Sequence, residues 1–427
     1  MGLIKFALQP GVNKSETVYK ERFRYVDTQA VRFFNGLLEK LGGWAKYYGT
    51  AIVGKGRDLF PWQDDDGNSR VAIGTSKKLY YLYAGVLTDI TPRRSSGTLA
   101  NNPLVTTSGS AVVEVTHTNH GAAACDYVTL GGATAVGGIT PDGEYAITTI
   151  IGPDTYRITH SANATSSATG GGASVTYAYQ ISIGLDDSID SHGYGVGTYS
   201  GGTYSGASSS TVTLHARTWS LAVRGEDLFA SPRGGSIYRW QPGDVRATVL
   251  TNATLTNVGM FVTADGMVVA VGAGGNKRRV DWADQDAPTT WTPAITNTAG
   301  TKTIEIGGEI IDGCADQRGV NLVYTEMAAI AMQRVTTDFV FDWDALGEAT
   351  GLIGPNAHAH FLSRSYWMSN EDFLMFDGRV QPIPNSSDIR QLAFADINET
   401  QRAKFHAGVN AKFSEIWFFF AAMSCAI

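Results

Sequence analysis

Two close pairs of histidines are the residues of this chain best suited to bind a metal ion. They are His117 with His120 and His358 with His360. His358 and His360 stand two positions apart in a stretch predicted to be a strand, so both rings would face the same side and could share an ion. The sequence places no cysteine or carboxylate beside them. We therefore predict no metal site and no cofactor.

The three cysteines, Cys125, Cys314 and Cys425, are far apart in the sequence. No Cys-x-x-Cys pair or Cys/His cluster occurs, so the zinc-binding spacings are missing. An odd and sparse set of cysteines is typical of a protein folded in a reducing cytoplasm. We expect these thiols to be buried and unpaired.

Two polar turns resemble ligand-binding loops. The acidic run Asp64–Asn68 could offer carboxylate oxygens to a cation, but it lacks the loop pattern that closes with a glutamate. The run Gly272–Asn276 resembles a phosphate-binding loop, but no Gly-Lys-Ser/Thr ending or helix follows it. We predict a solvated turn at the first and an ordinary turn at the second.

No residue pattern indicates catalysis. The nucleophile motif Gly-x-Ser-x-Gly is absent, and no Asp-box repeat of the sialidase kind recurs. Carboxylate pairs that cleave glycosides cannot be identified from sequence spacing. We predict that the chain is not an enzyme and has no catalytic residue, and we keep a propeller glycosidase or depolymerase as an alternative.

The densest basic run is Lys277-Arg278-Arg279. It is a candidate contact with DNA phosphates in a channel or with an acidic partner, although an exposed turn is the favoured interpretation. The net charge of −7 argues against tight, sequence-reading contact with nucleic acid, which needs a basic face. A negative protein suits DNA that passes without being gripped.

The fold class predicted from the sequence is all-β. The chain of 427 residues holds 49 glycines and 11% aromatic residues, a composition that favours turns and strands. The stretch Leu221–Trp240 predicts two strands around a turn at Ser231–Gly235. Similar units recur about every 40 to 50 residues, which is typical of β-propeller blades. Their second strands are predicted near these residues: Tyr238, Val280, Met332 and Phe376.

Composition divides the chain into four parts. Residues 1–94 are predicted as an arm and a first blade, 95–183 as an inserted β-sandwich (immunoglobulin-like) module, 184–210 as a Gly/Ser/Tyr-rich loop, and 211–427 as the remaining blades, five or six in all. In the loop, Tyr194, Tyr199 and Tyr204 are candidate contacts between subunits or with partners. A last apolar strand precedes Ile427, so we expect the N-terminal arm to complete that blade or the sequence to be part of a longer product. No signal peptide and no membrane span are predicted.

The stretch Tyr25–Trp44 resembles the opening of tail proteins from short-tailed phages. The pattern there is close to D-x-x-x-V-R-F-x-N-G-x-P-E-K-x-G-G-W, and this chain differs at Leu38, where proline is common. The stretches Leu79–Pro92, Leu130–Ile139 and Gly143–Tyr145 are also similar to that family.

This resemblance is to the tail nozzle, or tail hub, proteins of podoviruses. It implies a propeller-like structural protein of the virion tail, assembled in the host cytoplasm as a ring of six copies. Its partners would be other copies, adaptor and portal proteins, fibre or spike proteins, and DNA passing without sequence specificity during ejection. The alternative is a tail propeller protein that binds a host receptor or polysaccharide, including one that degrades the polysaccharide.

Overall fold

A hairpin opens the described part of the chain. The computed structural model describes residues 10–12, 19, 24–26, 28, 30–43, 45–182, 184–188, 215–315, 319–335, 340–384 and 387–423. Strands β1 (Val31–Phe34) and β2 (Leu37–Lys40) pair antiparallel, with Phe34 opposite Leu37. Asn35 and Gly36 turn between them with φ of 49° and 77°, as a two-residue hairpin loop requires. In the sequence, the Asn35-Gly36 pair between two apolar runs predicts a hairpin here, and the structure confirms it.

The first four-stranded blade begins earlier than the sequence predicted. Its strands pair in chain order and are β3 (Gly56–Gln63), β4 (Ser69–Thr75), β5 (Leu79–Tyr83) and β6 (Val86–Asp89). The strand pattern of this unit is clear in the sequence only from Val71 onward, so the sequence does not predict β3. The reason is Pro61, which argues against a strand in the sequence but is tolerated here because β3 lies at the edge of its sheet.

The inserted module forms one eight-stranded antiparallel sheet. Its strands are β7 (Arg93–Thr98), β8 (Leu104–Thr106), β9 (Val112–Thr116), β10 (Tyr127–Gly131), β11 (Gly143–Gly152), β12 (Thr155–Thr159), β13 (Ala168–Gly170) and β14 (Thr176–Gln180). They are ordered β13-β8-β9-β12-β11-β10-β14-β7. The first half of β11 pairs with β10 and the second half with β12, across register irregularities after Ile147. Strand β11 therefore belongs to both halves of the module. The expected immunoglobulin-like arrangement of two separate sheets is not confirmed.

A buried lysine joins this module to the first blade. Lys78 is 2% exposed, and its Nζ lies 2.9 Å from Asp89 Oδ2 in the blade and 2.5 Å from Glu144 Oε1 in the module. The amide of Gln180 donates to the other oxygen of Glu144 at 2.6 Å. A buried charge needs such partners, so removing one of them would leave the others uncompensated.

Four more blades follow the module, as the sequence predicted. The second blade holds β15 (Trp219–Arg224), β16 (Asp227–Pro232), β17 (Tyr238–Trp240) and β18 (Thr248–Val249), and the third holds β19 (Gly259–Val262), β20 (Val268–Val271), β21 (Arg279–Trp282) and β22 (Gly300–Thr303). The fourth holds β23 (Ile310–Ala315), β24 (Val320–Thr325), β25 (Ala329–Arg334) and β26 (Phe341–Ala345), and the fifth holds β27 (His358–Phe361), β28 (Arg364–Met368), β29 (Phe373–Phe376) and β30 (Val380–Pro382). Each sheet is antiparallel, with its strands in chain order. The fold is a β-propeller of five four-stranded blades.

Two details of the predicted blades are wrong. The stretch Leu221–Trp240 contains three strands, because the chain already turns at Gly225-Glu226 and Ser231 and Pro232 belong to β16. The strands predicted as second in each blade are therefore the third, namely β17, β21, β25 and β29. The first turn was missed because Arg224–Asp227 carries a single glycine and no proline, which is a weak turn signal.

The last described segment closes on the first. Helix α1 (Ser387–Phe394) and a 3-10 helix (Glu399–Lys404) lead to the hairpin of β31 (His406–Asn410) and β32 (Glu415–Phe419), with a 3-10 turn (Ala411–Phe413) between its strands. Arg32 of β1 forms a salt bridge with Glu415 at 3.2 Å and lies 3.5 Å above the ring of Phe413. The N-terminal arm thus packs on the final hairpin, although the two hairpins share no backbone ladder. Within the described residues, no helix is long and apolar enough to span a membrane.

The hydrophobic core is divided into layers between neighbouring blades. Trp219, which is fully buried, fills the layer between the first and second blades, and its indole donates to Thr75 O at 2.8 Å. The backbone of Gly74 lies directly under this ring, because a Cβ there would come within 2.5 Å of it. Only a residue without a side chain leaves room at position 74 for the Trp219 ring.

We predict that Gly74→Ala destabilises the protein by about 1–3 kcal/mol, because the added methyl overpacks the layer around Trp219. Urea unfolding followed by tryptophan fluorescence measures the change. Gly56→Ala, in the same blade, is the matched control, since a Cβ there meets nothing within 4 Å. Equal stability of the two variants would contradict this packing.

Candidate functional site

The first strands of the blades lie around the propeller axis. Strands β3, β15, β19 and β23 adjoin one another in that order, and β27 adjoins β31. Gly259 on β19 permits a close approach, since a Cβ there would lie 2.8 Å from Asp312 Oδ1 and 2.9 Å from Ser220 Oγ. Polar side chains from several blades therefore meet at the axis.

A cysteine and two histidines converge at this axis. Cys314 on β23 and His358 and His360 on β27 each place one potential ligand atom within 4.8 Å of the other two. The two histidines face the same side of their strand, as the sequence predicted. Cys314 was missed because it belongs to another blade, and only the ring arrangement of the blades brings it to β27. We name these three side chains the axial trio.

Neighbouring groups hold the trio in place. The Nε2 atom of His358 lies 3.6 Å from Asp312 Oδ2, and Nδ1 of His360 lies 3.0 Å from the hydroxyl of Ser365. The thiol of Cys314 donates to the hydroxyl of Tyr324 at 3.8 Å, and the Tyr324 ring stacks on His358. Each member of the trio is therefore oriented by a second side chain.

Electrostatic interactions within the trio shift the pKa values of Cys314 and His358 in opposite directions. Burial raises the pKa of the Cys314 thiol, but the two imidazoles outweigh this and hold the pKa below its usual value. Burial lowers the pKa of His358, but the Cys314 thiolate and Asp312 raise it well above its usual value. Both shifts favour loss of the proton from Cys314 and its retention on His358. A deprotonated thiol is the form that binds metals.

An acidic side chain faces the trio from the first blade. Burial, with a smaller contribution from the charge of Asp312, raises the pKa of Asp58 on β3 to about 7, although the Leu59 amide donates to it at 2.8 Å. Burial also lowers the pKa of His406 on β31, and the charge of His358 lowers it further. The axis thus gathers titratable groups from four of the strands that surround it.

A cleft of about 750 Å³ lies beside the axial strands and contains part of the predicted basic run. Its charged lining is mixed: His215, Arg217, Arg233, Lys277, Glu309, Glu326, Glu399 and Arg402. Arg233 donates to Ile311 O at 2.7 Å, which fixes it to β23. The cleft therefore offers both cations and carboxylates rather than a uniformly basic wall.

The basic run Lys277-Arg278-Arg279 is bound to its own chain. Lys277 pairs with Glu309 at 2.8 Å, Arg278 donates to Ile304 O at 2.8 Å, and Arg279 pairs with Asp281 at 2.7 Å. Lys277 is exposed, and the other two are partly buried. A contact with DNA or an acidic partner stays a prediction for these residues.

The other sequence candidates have structural partners. Asp65, Asp66 and Gly67 are exposed, as predicted for a solvated turn, whereas Asp64 is buried. Asp64 accepts hydrogen bonds from the Asn68 amide at 2.7 Å and from Arg70 at 2.8 Å, so it holds the β3–β4 turn. His117 bonds to the Tyr179 hydroxyl and His120 to Gly152 O.

Three further predictions concern turns, thiols and the loop. The run Gly272–Asn276 forms the predicted turn, with a short 3-10 segment at Ala273–Gly275. Cys125 is exposed, which corrects the expectation of a buried thiol, because it lies in a turn at positive φ between strands. Tyr194, Tyr199 and Tyr204 lie outside the described residues.

No family model and no curated protein matches the chain. Among solved structures, it is similar to the endosialidase of phage phi92, at 10% identity and a TM-score of 0.21 over 77% of this chain and 46% of that one. It is also similar to the extracellular domain of a hybrid two-component system protein from B. thetaiotaomicron, at 10% identity and a TM-score of 0.35 over 87% and 38%. It is similar as well to the virginiamycin B lyase of Staphylococcus aureus, at 10% identity and a TM-score of 0.32 over 85% of this chain and 92% of that one. The chain spans less than half the length of the first two proteins, and we base no conclusion on these likenesses because the TM-scores are low.

We predict that Asp58→Asn flattens the dependence of stability on pH. The pKa of Asp58 is raised in the folded state, so between about pH 4 and 7 the folded protein holds a proton that the unfolded chain has lost. Its contribution to stability therefore falls as pH rises through this window, by at most about 1.4 kcal/mol per pH unit. Urea unfolding of both proteins between pH 5 and pH 8 measures the difference, and a difference that does not vary with pH would contradict the raised pKa.

Proposed function

We propose that the protein is a structural subunit of the tail of a short-tailed phage, in which copies assemble into a ring below the portal and adaptor. The main support for this proposal is that the hairpin within the stretch resembling the nozzle family, Tyr25–Trp44, lies against the final hairpin of the chain. That stretch includes the β1–β2 hairpin, which packs on the β31–β32 hairpin through Arg32 and Glu415. The propeller fold is also what the resemblance implies.

The two joined hairpins present unpaired surface. Leu37 and Leu38 on β2 are 68% and 41% exposed, and Val409 and Phe419 on the other hairpin are 41% and 47% exposed. Among the described residues, each of these four strands has a single partner in its sheet. Exposed apolar side chains beside open strand edges favour association with another chain.

The occupant of this surface is a second copy of the chain. The surface combines elements from both ends of the described chain, and it lies at one position on the propeller ring. A contact between this surface and a different surface of the next copy repeats by rotation and closes into a ring. The family resemblance independently implies such a ring.

DNA would pass through the ring of copies rather than through the propeller itself. The axis of the propeller is occupied by side chains from facing blades, including Asp312, Cys314 and His358. A net charge of −7 per copy gives a wall that repels phosphate and does not retard the moving DNA. The role is structural, and no catalytic step is assigned to the chain.

We predict that Leu37→Ser combined with Leu38→Ser weakens self-association roughly tenfold or more, because it removes the exposed apolar surface of β2. Size-exclusion chromatography with light scattering, together with negative-stain images, measures the assembly. Val245→Ser combined with Ile295→Ser is the matched control, since both residues are also highly exposed but lie on loops of the second and third blades.

A wild-type chain that stays monomeric at high concentration would contradict the ring. A monomer that binds host polysaccharide or host cells would favour the alternative, a receptor-binding tail protein. Equal loss of assembly in both double variants would indicate a general effect of reduced apolar surface and not a specific interface.

A further inference from the structure

We propose that the axial trio of Cys314, His358 and His360 is a binding site for one Zn(II) ion, which joins the fourth and fifth blades at the propeller axis. This proposal does not depend on the proposed function, because it concerns the axis of a single chain. The sequence spacing indicated the two histidines but not Cys314, because the third ligand comes from another blade.

The first reason is that the inward-facing nitrogens have no partner. Nδ1 of His358 and Nε2 of His360 are both buried and accept or donate no hydrogen bond. Leaving a buried polar atom unpaired is unfavourable, and native proteins seldom do so without a ligand, water or function. Two such nitrogens close to one buried thiol form a donor set that a metal ion would satisfy.

The second reason is that the opposite nitrogens are held. Nε2 of His358 faces Asp312 at 3.6 Å, and Nδ1 of His360 bonds to Ser365 at 3.0 Å. Metal-binding histidines commonly use the second ring nitrogen in this way, because a carboxylate or hydroxyl fixes the ring orientation and tautomer. The outer contacts therefore leave free the two nitrogens that can bind the ion.

The third reason is distance. The three ligand atoms lie within 4.8 Å of one another. Zinc bonds of about 2.0–2.3 Å at tetrahedral angles need ligand atoms roughly 3.3–3.6 Å apart. The separation in the structure is therefore at most about 1.5 Å wider than a bound ion requires.

The ligand types select the metal. A thiolate and two imidazoles suit Zn(II) and related transition metals, whereas Ca²⁺ and Mg²⁺ prefer oxygen ligands. Three protein ligands leave a fourth position for a water molecule. Strands β23 and β27 belong to different sheets and share no backbone hydrogen bonds, so the ion would link two blades directly.

Titration with Co(II) tests the site directly. The full-length chain is stripped with a chelator under reducing, oxygen-free conditions, and Co(II) chloride is added while absorbance is recorded. We expect a thiolate-to-cobalt charge-transfer band that saturates at one equivalent and disappears when Zn(II) is added. Zn(II) alone should raise the melting temperature of the stripped protein. Absence of the band would overturn the proposal.

Two variants and two controls identify the ligands. Cys314→Ser should abolish the charge-transfer band, and His360→Asn should weaken Co(II) binding at least tenfold. The control Cys125→Ser removes the exposed thiol, and His160→Asn removes a histidine of the inserted module, so both should bind as the wild type does. Near-UV circular dichroism of the stripped variants checks that each one folds. A band that survives Cys314→Ser, or that is lost in Cys125→Ser, would place the metal elsewhere and overturn the assignment.

Discussion

Packing of each blade against the elements beside it is the interaction on which the rest of the structure depends. A four-stranded sheet cannot bury both faces alone, so each layer of the core is shared by adjacent blades. Trp219 over Gly74 and Phe261 over Gly313 show how tight these layers are, since a single methyl at either glycine would collide with the ring. The layers must also close in a circle, and the contact of Arg32 with Glu415 brings the first and last hairpins together at that point.

The inserted module does not disturb this packing, because it is inserted between the last strand of the first blade and the first strand of the second. It follows β6, the outer strand of the first blade, and it precedes β15, the first strand of the second. Its two ends are adjacent, since Arg93 pairs with Gln180 on neighbouring strands. An insertion with adjacent ends does not separate the blades, and the buried Lys78 then fixes the module to the blade it leaves.

The same closure concentrates polar groups at the axis. First strands have no sheet neighbour on their inner side, so their side chains face those of other blades across a narrow space. Asp58, Asp312, Cys314 and His358 are brought together in this way. The charges of Asp312, Cys314 and His358 each shift the pKa of another member of this group. Such a group is costly to bury unless its members compensate one another or hold an ion. The axis is therefore the place where this fold can carry chemistry, while the exposed apolar side chains of the two hairpins form the surface that we propose for assembly.

The sequence by itself determined the all-β class, the repeated blades, the position of the insertion and the Asn35-Gly36 hairpin. These follow from turn residues and apolar alternation, which act over a few residues and are visible in the letters. It also placed His358 and His360 on one side of a strand, because alternation along a strand is local. Only the tertiary structure decided that β3 completes the first blade, that the module is one continuous sheet, and that Cys314 meets the two histidines. Each of these depends on which distant strands become neighbours, and that is set by the closure of the blades into a ring rather than by any local pattern.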